Sequence, residues 1–344
     1  MKILSIGTMN GLSNTCLHRH WALEKIAQQI DVVNTSAKKI SLRYRISNRL
    51  FGYGLPIRLP DLSQSNKKIK ALAEQNFYDI VWIDKGITIN PETLRFIKTK
   101  HPTTKIVSYS PDNMALRHNQ SQNYLECIPL YDYIFTNKSY ILEDMKKLGA
   151  KNITFVNNSY ESRFHYPRTL SSDEIKRLGG DVGFIGAWEK ERCDSILYLA
   201  KNGIHVKVFG GGKWENYKNY LPNLQIEKGI FSEDYSKALQ AFKISLCFLR
   251  KANFDQQTTR TMEIPACGGF MLAERTIEHE KLFNEGTEAA FFSSNEELLQ
   301  KCKYYLEHEE ERKKIAKGGL KRCETSGYSN EFTIKKMIEF VNHA

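Results

Sequence analysis

Short apolar runs alternate with helix-period segments along this chain, and the pattern stops once and begins again. That double alternation is what most restricts the possible folds. In the first half, apolar runs at 3–6, 32–33, 80–83, 105–109, 133–135 and 153–156 are separated by segments at 16–29, 64–75, 91–100, 120–127 and 139–148 whose apolar residues recur every three or four positions. Strands connected through helices pair in parallel, and a parallel sheet must be covered on both faces. Pro91 suits a first helical position and Gly149 a helix stop. Residues 159–180 are polar, contain Pro167 and end in Gly179-Gly180, which reads as a domain boundary. The pattern resumes at Val182, with strands expected at 205–209, 225–227, 244–248, 270–273 and 289–292, and helices near 192–201, 232–241, 258–266, 295–307, 310–324 and 328–342. The expectation is an α/β protein of two tandem parallel-sheet domains, 1–165 and 166–327. At 344 residues, each half is large enough to bury its own core.

Composition narrows the class further. No apolar run approaches the length of a membrane-spanning helix. The opening MKILSIG enters a strand at once, so no signal peptide is expected. Seven scattered cysteines without a C-x-x-C pair argue against a disulfide framework and a zinc site, and for a reducing compartment. A cytoplasmic protein is expected, with peripheral attachment to the inner face of a membrane as an open alternative. The net charge of +11 is uneven: residues 1–165 carry 23 Lys/Arg against 13 Asp/Glu, and residues 166–344 carry 27 against 26. No acid stands between Asp31 and Asp61, whereas Lys38, Lys39, Arg43, Arg45, Arg49 and Arg58 accumulate there among Ile40, Leu42, Ile46 and Leu50. Segment 38–58 is either a packed, solvated surface helix or a basic amphipathic face for an anionic membrane or acceptor. No nucleic-acid-binding module accompanies the charge, so nucleic acid is not an expected partner.

The most informative stretch is DQQTTRTMEIPACGGFML, from Asp255 to Leu272. Asp255 approaches a short helix whose N-terminal dipole suits phosphate. Glu263 is placed to accept hydrogen bonds from two adjacent hydroxyls such as a ribose offers. Arg260 lies one turn before it on the same helical face, either as a structural ion pair or aimed at a departing diphosphate. Gly268 and Gly269 then turn the chain back into the sheet beside a ligand. The bland alternative is an acid-and-glycine turn of the kind common in α/β proteins.

Open parallel sheets bind ligands at the carboxyl ends of their strands, and two such sheets facing one another would frame a cleft. In the second half the relevant loops are GAWEKER, from Gly186 to Arg192, and the triple glycine beginning at Gly210 and Gly211. Glycine there frees backbone N–H groups for phosphate oxygens, or simply makes a tight turn; Arg192 is suited to a diphosphate. Neither loop matches G-x-G-x-x-G, so NAD is not expected. In the first half the loop with Asn10 and Gly11, followed by His18, the strand end at Lys85, and the carboxylate of Asp112 stand out. Asp112 is a candidate base for an acceptor hydroxyl, with His18 as the alternative; an N-cap or turn role fits Asp112 equally.

With these residues gathered, the chain resembles bacterial glycosyltransferases of the CgeB-like, spore-maturation-protein type within the GT-B superfamily. The segments carrying the likeness are DIVWIDKG (79–86), YSPDN (109–113), 131–161, DVGFIGAWEKER (181–192), RTMEIPACGGFMLAE (260–274) and 282–306. The resemblance implies a GT-B fold of two Rossmann-like domains facing across a cleft, with the helix at 328–344 crossing back to the first. It implies a nucleoside-diphosphate sugar in the C-terminal domain and a glycan or lipid-linked acceptor at the N-terminal one, in cell-surface polysaccharide synthesis. It also implies no required metal or other cofactor, in keeping with the lack of a D-x-D motif. In this reading Gly186, Arg192, Gly210, Gly211, Arg260, Glu263, Gly268 and Gly269 bind the donor, and Asp255 lies at its sugar. Asn10, Gly11 and Lys85 face the acceptor. Related retaining transferases usually carry Glu where this chain has Asp255, a side chain one methylene shorter, so either stereochemical outcome stays open. A nucleotide-sugar epimerase and a non-catalytic coat or surface-assembly protein with a degenerate transferase fold are the alternatives.

Overall fold

A computed structural model describes residues 1–37 and 39–343. It divides into two compact units, one of residues 1–157 with 333–344 and the other of residues 158–332. The boundary expected at 165/166 therefore falls inside the second unit. Residues 158–165 are tied there by the Asn158 amide, which donates to Gln257 Oε1 at 2.9 Å, and by a bridge from Tyr160 to Ser329.

The first unit is built on β1 (Lys2–Gly7), β2 (Gln29–Asn34), β3 (Ile80–Asp84), β4 (Lys105–Ser110), β5 (Tyr133–Thr136) and β6 (Ile153–Phe155). All pair in parallel, in the order β2-β1-β3-β4-β5-β6. Alternate residues feed two apolar layers. Leu4, Ile6, Val81, Ile83 and Ile106 pack on one face, and Ile3, Ile80, Trp82, Val107 and Phe135 on the other. Burial on both faces explains why these strands read as unbroken apolar runs rather than alternating ones. The second face is closed by the helix Asn330–His343, whose Ile334, Met337, Ile338 and Val341 follow the i, i+3, i+4, i+7 spacing of a single stripe.

In the second unit β7 (Gly180–Ile185), β8 (Val206–Phe209), β9 (Leu224–Glu227), β10 (Phe242–Cys247), β11 (Met271–Glu274) and β12 (Ala290–Phe292) form a second parallel sheet, ordered β12-β11-β10-β7-β8-β9. The stretch that reads as a linker contains a helix, Ser172–Leu178, started by a capping box in which Ser171 and Glu174 satisfy each other's backbone N–H groups. In each sheet the chain reverses its direction of winding once. That switch lies between β1 and β3 in the first unit and between β7 and β10 in the second. Such switch points leave a crevice beyond the strand ends.

Candidate functional site

In the second unit, the loops leaving β7 and β10 diverge and enclose a cleft of about 830 Å³. Its walls come from Ala187–Arg192, the start of the helix Lys190–Lys201, and from Arg250, Lys251, Ala252, Asp255, Thr258 and Arg260. Lys190, Arg192, Arg250, Lys251 and Arg260 face Glu189, Glu191 and Asp255 around this space, so the wall carries an excess of positive charge. Glu189 caps the helix without a side-chain hydrogen bond, leaving its first-turn N–H groups to other acceptors. Helix dipole and cations add at the same mouth.

Arg192 is pinned. Its Nε and Nη1 donate to the carbonyls of Leu249 and Ala187, each at 3.3 Å, and Glu189 lies 3.6 Å away. Burial, opposed by Glu189 and assisted by the charge of Arg260, draws its pKa below the ordinary guanidinium value. Glu189 also takes Arg250 Nε at 3.2 Å, and Lys251 pairs with Glu274. Arg260 differs from these: its Nε is enclosed and makes no hydrogen bond. Its sequence neighbour Glu263 is not its ion-pair partner among the described residues. Glu263 is 4% exposed, accepts a hydrogen bond from the Tyr235 hydroxyl and lies 3.6 Å from His165 Nε2. Glu263 thus sits behind the cleft wall, one helical turn deeper than Arg260. Asp255 lines the cleft itself, directly after Phe254, which is held at φ +55° and exposed at 63%.

A relay of buried hydrogen bonds fixes the start of the helix Thr259–Ala266 and with it Arg260. Thr258 Oγ1 accepts from the Arg260 amide at 3.1 Å, and the Thr258 amide donates to Thr261 Oγ1 at 3.0 Å. That hydroxyl meets His279 Nε2 at 2.8 Å, while His279 Nδ1 lies 2.6 Å from the Glu274 carbonyl. A carbonyl only accepts, so Nδ1 donates and Nε2 accepts from Thr261. Burial lowers the His279 pKa to about 4, which keeps this tautomer neutral. No local sequence signal marks His279, because its partners are 18 and 5 residues away.

The glycines play a different part from the one expected of them. The Gly186 and Gly210 amides donate to the carbonyls of Phe209 and Glu227, both at 3.0 Å, so neither N–H is open to a phosphate. What these positions need is the absence of a side chain. A Cβ at Gly186 would stand 2.7 Å from the Phe184 ring, and one at Gly210 would stand 2.4 Å from Trp214, whose Nε1 donates to the Gly186 carbonyl at 3.0 Å. Gly211 is exposed with open space around its Cβ position and does not line the cleft. Gly268, at φ +78°, and Gly269 close the helix by donating to Pro265 and Ile264, and a Cβ on Gly269 would meet the Leu239 carbonyl at 2.3 Å. They terminate a helix against a strand and do not border the cleft. The free donors at the mouth are in the helix beginning at Lys190.

In the first unit the same topological point gathers the loops after β1 and β3. Asp84 and Arg19 form a buried two-pronged pair, at 2.6 and 2.9 Å, with the guanidinium 4.3 Å from the centre of the Tyr109 ring. Lys85 and Gly86 follow in left-handed conformation, and Lys85 Nζ reaches Asp112 at 2.5 Å. Asn10 takes a hydrogen bond from Asn34 at 2.9 Å, and Gly11, at φ +83°, turns that loop in open space. His18 is 2% exposed, and its Nε2 lies 2.5 Å from the Leu12 carbonyl. A carbonyl only accepts, so Nε2 donates and the basic nitrogen of neutral His18 is its Nδ1. All seven cysteines are buried thiols, and no group of metal-ligating side chains occurs among the described residues.

Known proteins agree with this architecture. Solved structures align over the whole chain: sucrose-phosphate synthase from Thermosynechococcus elongatus (11% identity, TM-score 0.70, all of this chain and 98% of that one) and Anabaena HepE with UDP-glucose (13%, 0.65, all of both chains). An α-glucosyltransferase bound to UDP and DNA aligns over 99% of each chain at 14% identity and TM-score 0.67. The fold is GT-B. Residues 192–339 also match the model of a family described as glycosyl transferase-like. No curated protein sequence matches the chain.

Proposed function

We propose that the protein is a glycosyltransferase drawing its sugar from a nucleoside-diphosphate donor bound in the second unit. The observation that carries this reading is the cationic cleft at the β7/β10 switch point, where Arg192, Arg260 and an uncapped helix start converge. Such an arrangement takes a diphosphate and stabilises the charge that grows on it as the glycosidic bond to phosphate breaks, with no metal needed. Arg260 is the residue assigned to that charge, because its Nε is enclosed without a partner. Asp255, on the cleft wall, is assigned to the donor sugar; Glu263, expected at the ribose, is instead buried behind the wall between Tyr235 and His165, where it braces the helix that presents Arg260. The acceptor is a hydroxyl of a glycan or lipid-linked saccharide. Its oxygen bonds to the anomeric carbon, the nucleoside diphosphate leaves, and the hydroxyl proton passes to Asp112 if the reaction inverts. HepE was solved with UDP, with UDP and glucose, and with UDP-glucose, which makes uridine donors the first to try.

The test is a panel of UDP-, GDP- and dTDP-sugars followed by thermal unfolding. A bound donor at about one hundred times its Kd adds about 2.7 kcal/mol, a shift of several degrees. Arg260→Ala should abolish that shift, measured against the variant's own unliganded Tm. No response to any donor, or an unaltered response in the variant, would count against the assignment. A similar structure from Listeria monocytogenes, named for an assigned UDP-N-acetylglucosamine 2-epimerase activity (12% identity, TM-score 0.61), keeps an epimerase as the second reading. Conversion of the donor sugar with no acceptor present would select it.

A further inference from the structure

The segment without a single acid, between Asp31 and Asp61, contains the helix Leu42–Gly52. Lys38 lies outside the described residues, and Arg58 is engaged with Glu126. The helix turns Phe51 into the first unit, where it is 8% exposed, with Tyr44 and Ser47 half-buried beside it. An amphipathic surface helix would be expected to show a polar back. This one does not: Leu42, Ile46 and Tyr53 are exposed at 73%, 53% and 72%. At about 100° per residue these three fall within one narrow stripe, on the side opposite Phe51. Arg45 and Arg49 flank the stripe on one side and Arg43 on the other, all exposed. The helix has an inward apolar face and a second, outward one bordered by guanidinium groups.

We infer that this outward face docks onto an anionic phospholipid bilayer, with Leu42, Ile46 and Tyr53 entering the headgroup–acyl boundary and the arginines meeting lipid phosphates. Charge complementarity selects this occupant. Two copies of the chain meeting through the face would crowd six arginines together with no acid to offset them. A nucleic acid would engage the arginines through its phosphates but leave the aliphatic stripe in water. A lipid boundary satisfies both chemistries at one depth. The inference does not depend on the transferase reading, because the helix belongs to the first unit and the donor cleft to the second.

The experiment is co-sedimentation of the full chain with vesicles of phosphatidylcholine alone, or containing about 30 mol % phosphatidylglycerol. The protein should pellet with the anionic vesicles only. L42S/I46S/Y53S and R43Q/R45Q/R49Q should each lower partitioning by roughly tenfold or more, and the arginine variant should also lose the salt dependence. These side chains are exposed, so both variants should keep the wild-type Tm and the wild-type response to donor. The proposal is overturned if the wild type stays in the supernatant, if either triple variant pellets as the wild type does, or if the same variants dissociate a dimer in sedimentation velocity.

Discussion

Arg260 is the residue on which donor affinity should turn. Its guanidinium lines the cleft and its Nε makes no hydrogen bond, while its charge also reaches the buried Tyr235 and Glu263. Arg260→Ala should weaken nucleotide-sugar binding by about 1.5–3 kcal/mol, read by calorimetric titration. Glu263→Gln should instead disturb the contact with Tyr235 and reduce both donor affinity and stability. Arg260 and Glu263 could be picked out in the sequence because charges on a short helix otherwise without them are conspicuous, but only Arg260, with Asp255 just before the helix, reaches the cleft; Glu263 is buried behind it. The glycines were misjudged for a nonlocal reason: whether Gly186 or Gly210 has a free N–H depends on which carbonyl the neighbouring strand brings opposite it. A paired comparison isolates this. Gly269→Ala drives a methyl into the Leu239 carbonyl and should cost about 1–3 kcal/mol in urea unfolding, whereas Gly211→Ala, in open space, should be near neutral.

The elements that frame the site depend on buried polar relays as well as on apolar packing. The helix carrying Arg260 starts where the hydroxyl of Thr261 and neutral His279 fix Thr258. His279 has its pKa lowered to about 4 by burial, against an ordinary value of 6.5, so the native state binds fewer protons than the unfolded one between those values. Its contribution is therefore complete above about pH 6.5 and is lost as the pH falls toward 4. His165, lowered to about 3 by burial and by Arg168, acts in the same direction. Unfolding free energy measured from pH 7 to 4 should fall, and His279→Gln should have a shallower slope as well as lower stability at pH 7. Strands could be read from the sequence almost throughout, since burial on both faces leaves continuous apolar runs. The helix Ser172–Leu178 was hidden in a polar stretch because seven residues give too few turns for a period to show. The relay through His279 was equally hidden, as its members meet only after β11 and the following helix have packed.

At the scale of the molecule, two parallel sheets, each with one reversal of winding, set the loops of the candidate sites at defined strand ends. The first sheet is completed by the far end of the chain, through Ile334, Met337, Ile338 and Val341. Burying four such side chains is worth on the order of 6 kcal/mol or more, comparable to the whole stability of many domains. A chain ending at 332 should therefore show an early thermal transition for the first unit and an unshifted one for the second, resolved by calorimetry. The same helix governs the timetable of biosynthesis. Residues 1–157 are made first, yet one face of their sheet, covered in part by Ala22 and Leu23, stays incomplete until residues 334–341 follow the whole of the second unit. The half synthesised first is the half that must wait, and during that interval it is the part most in need of a chaperone.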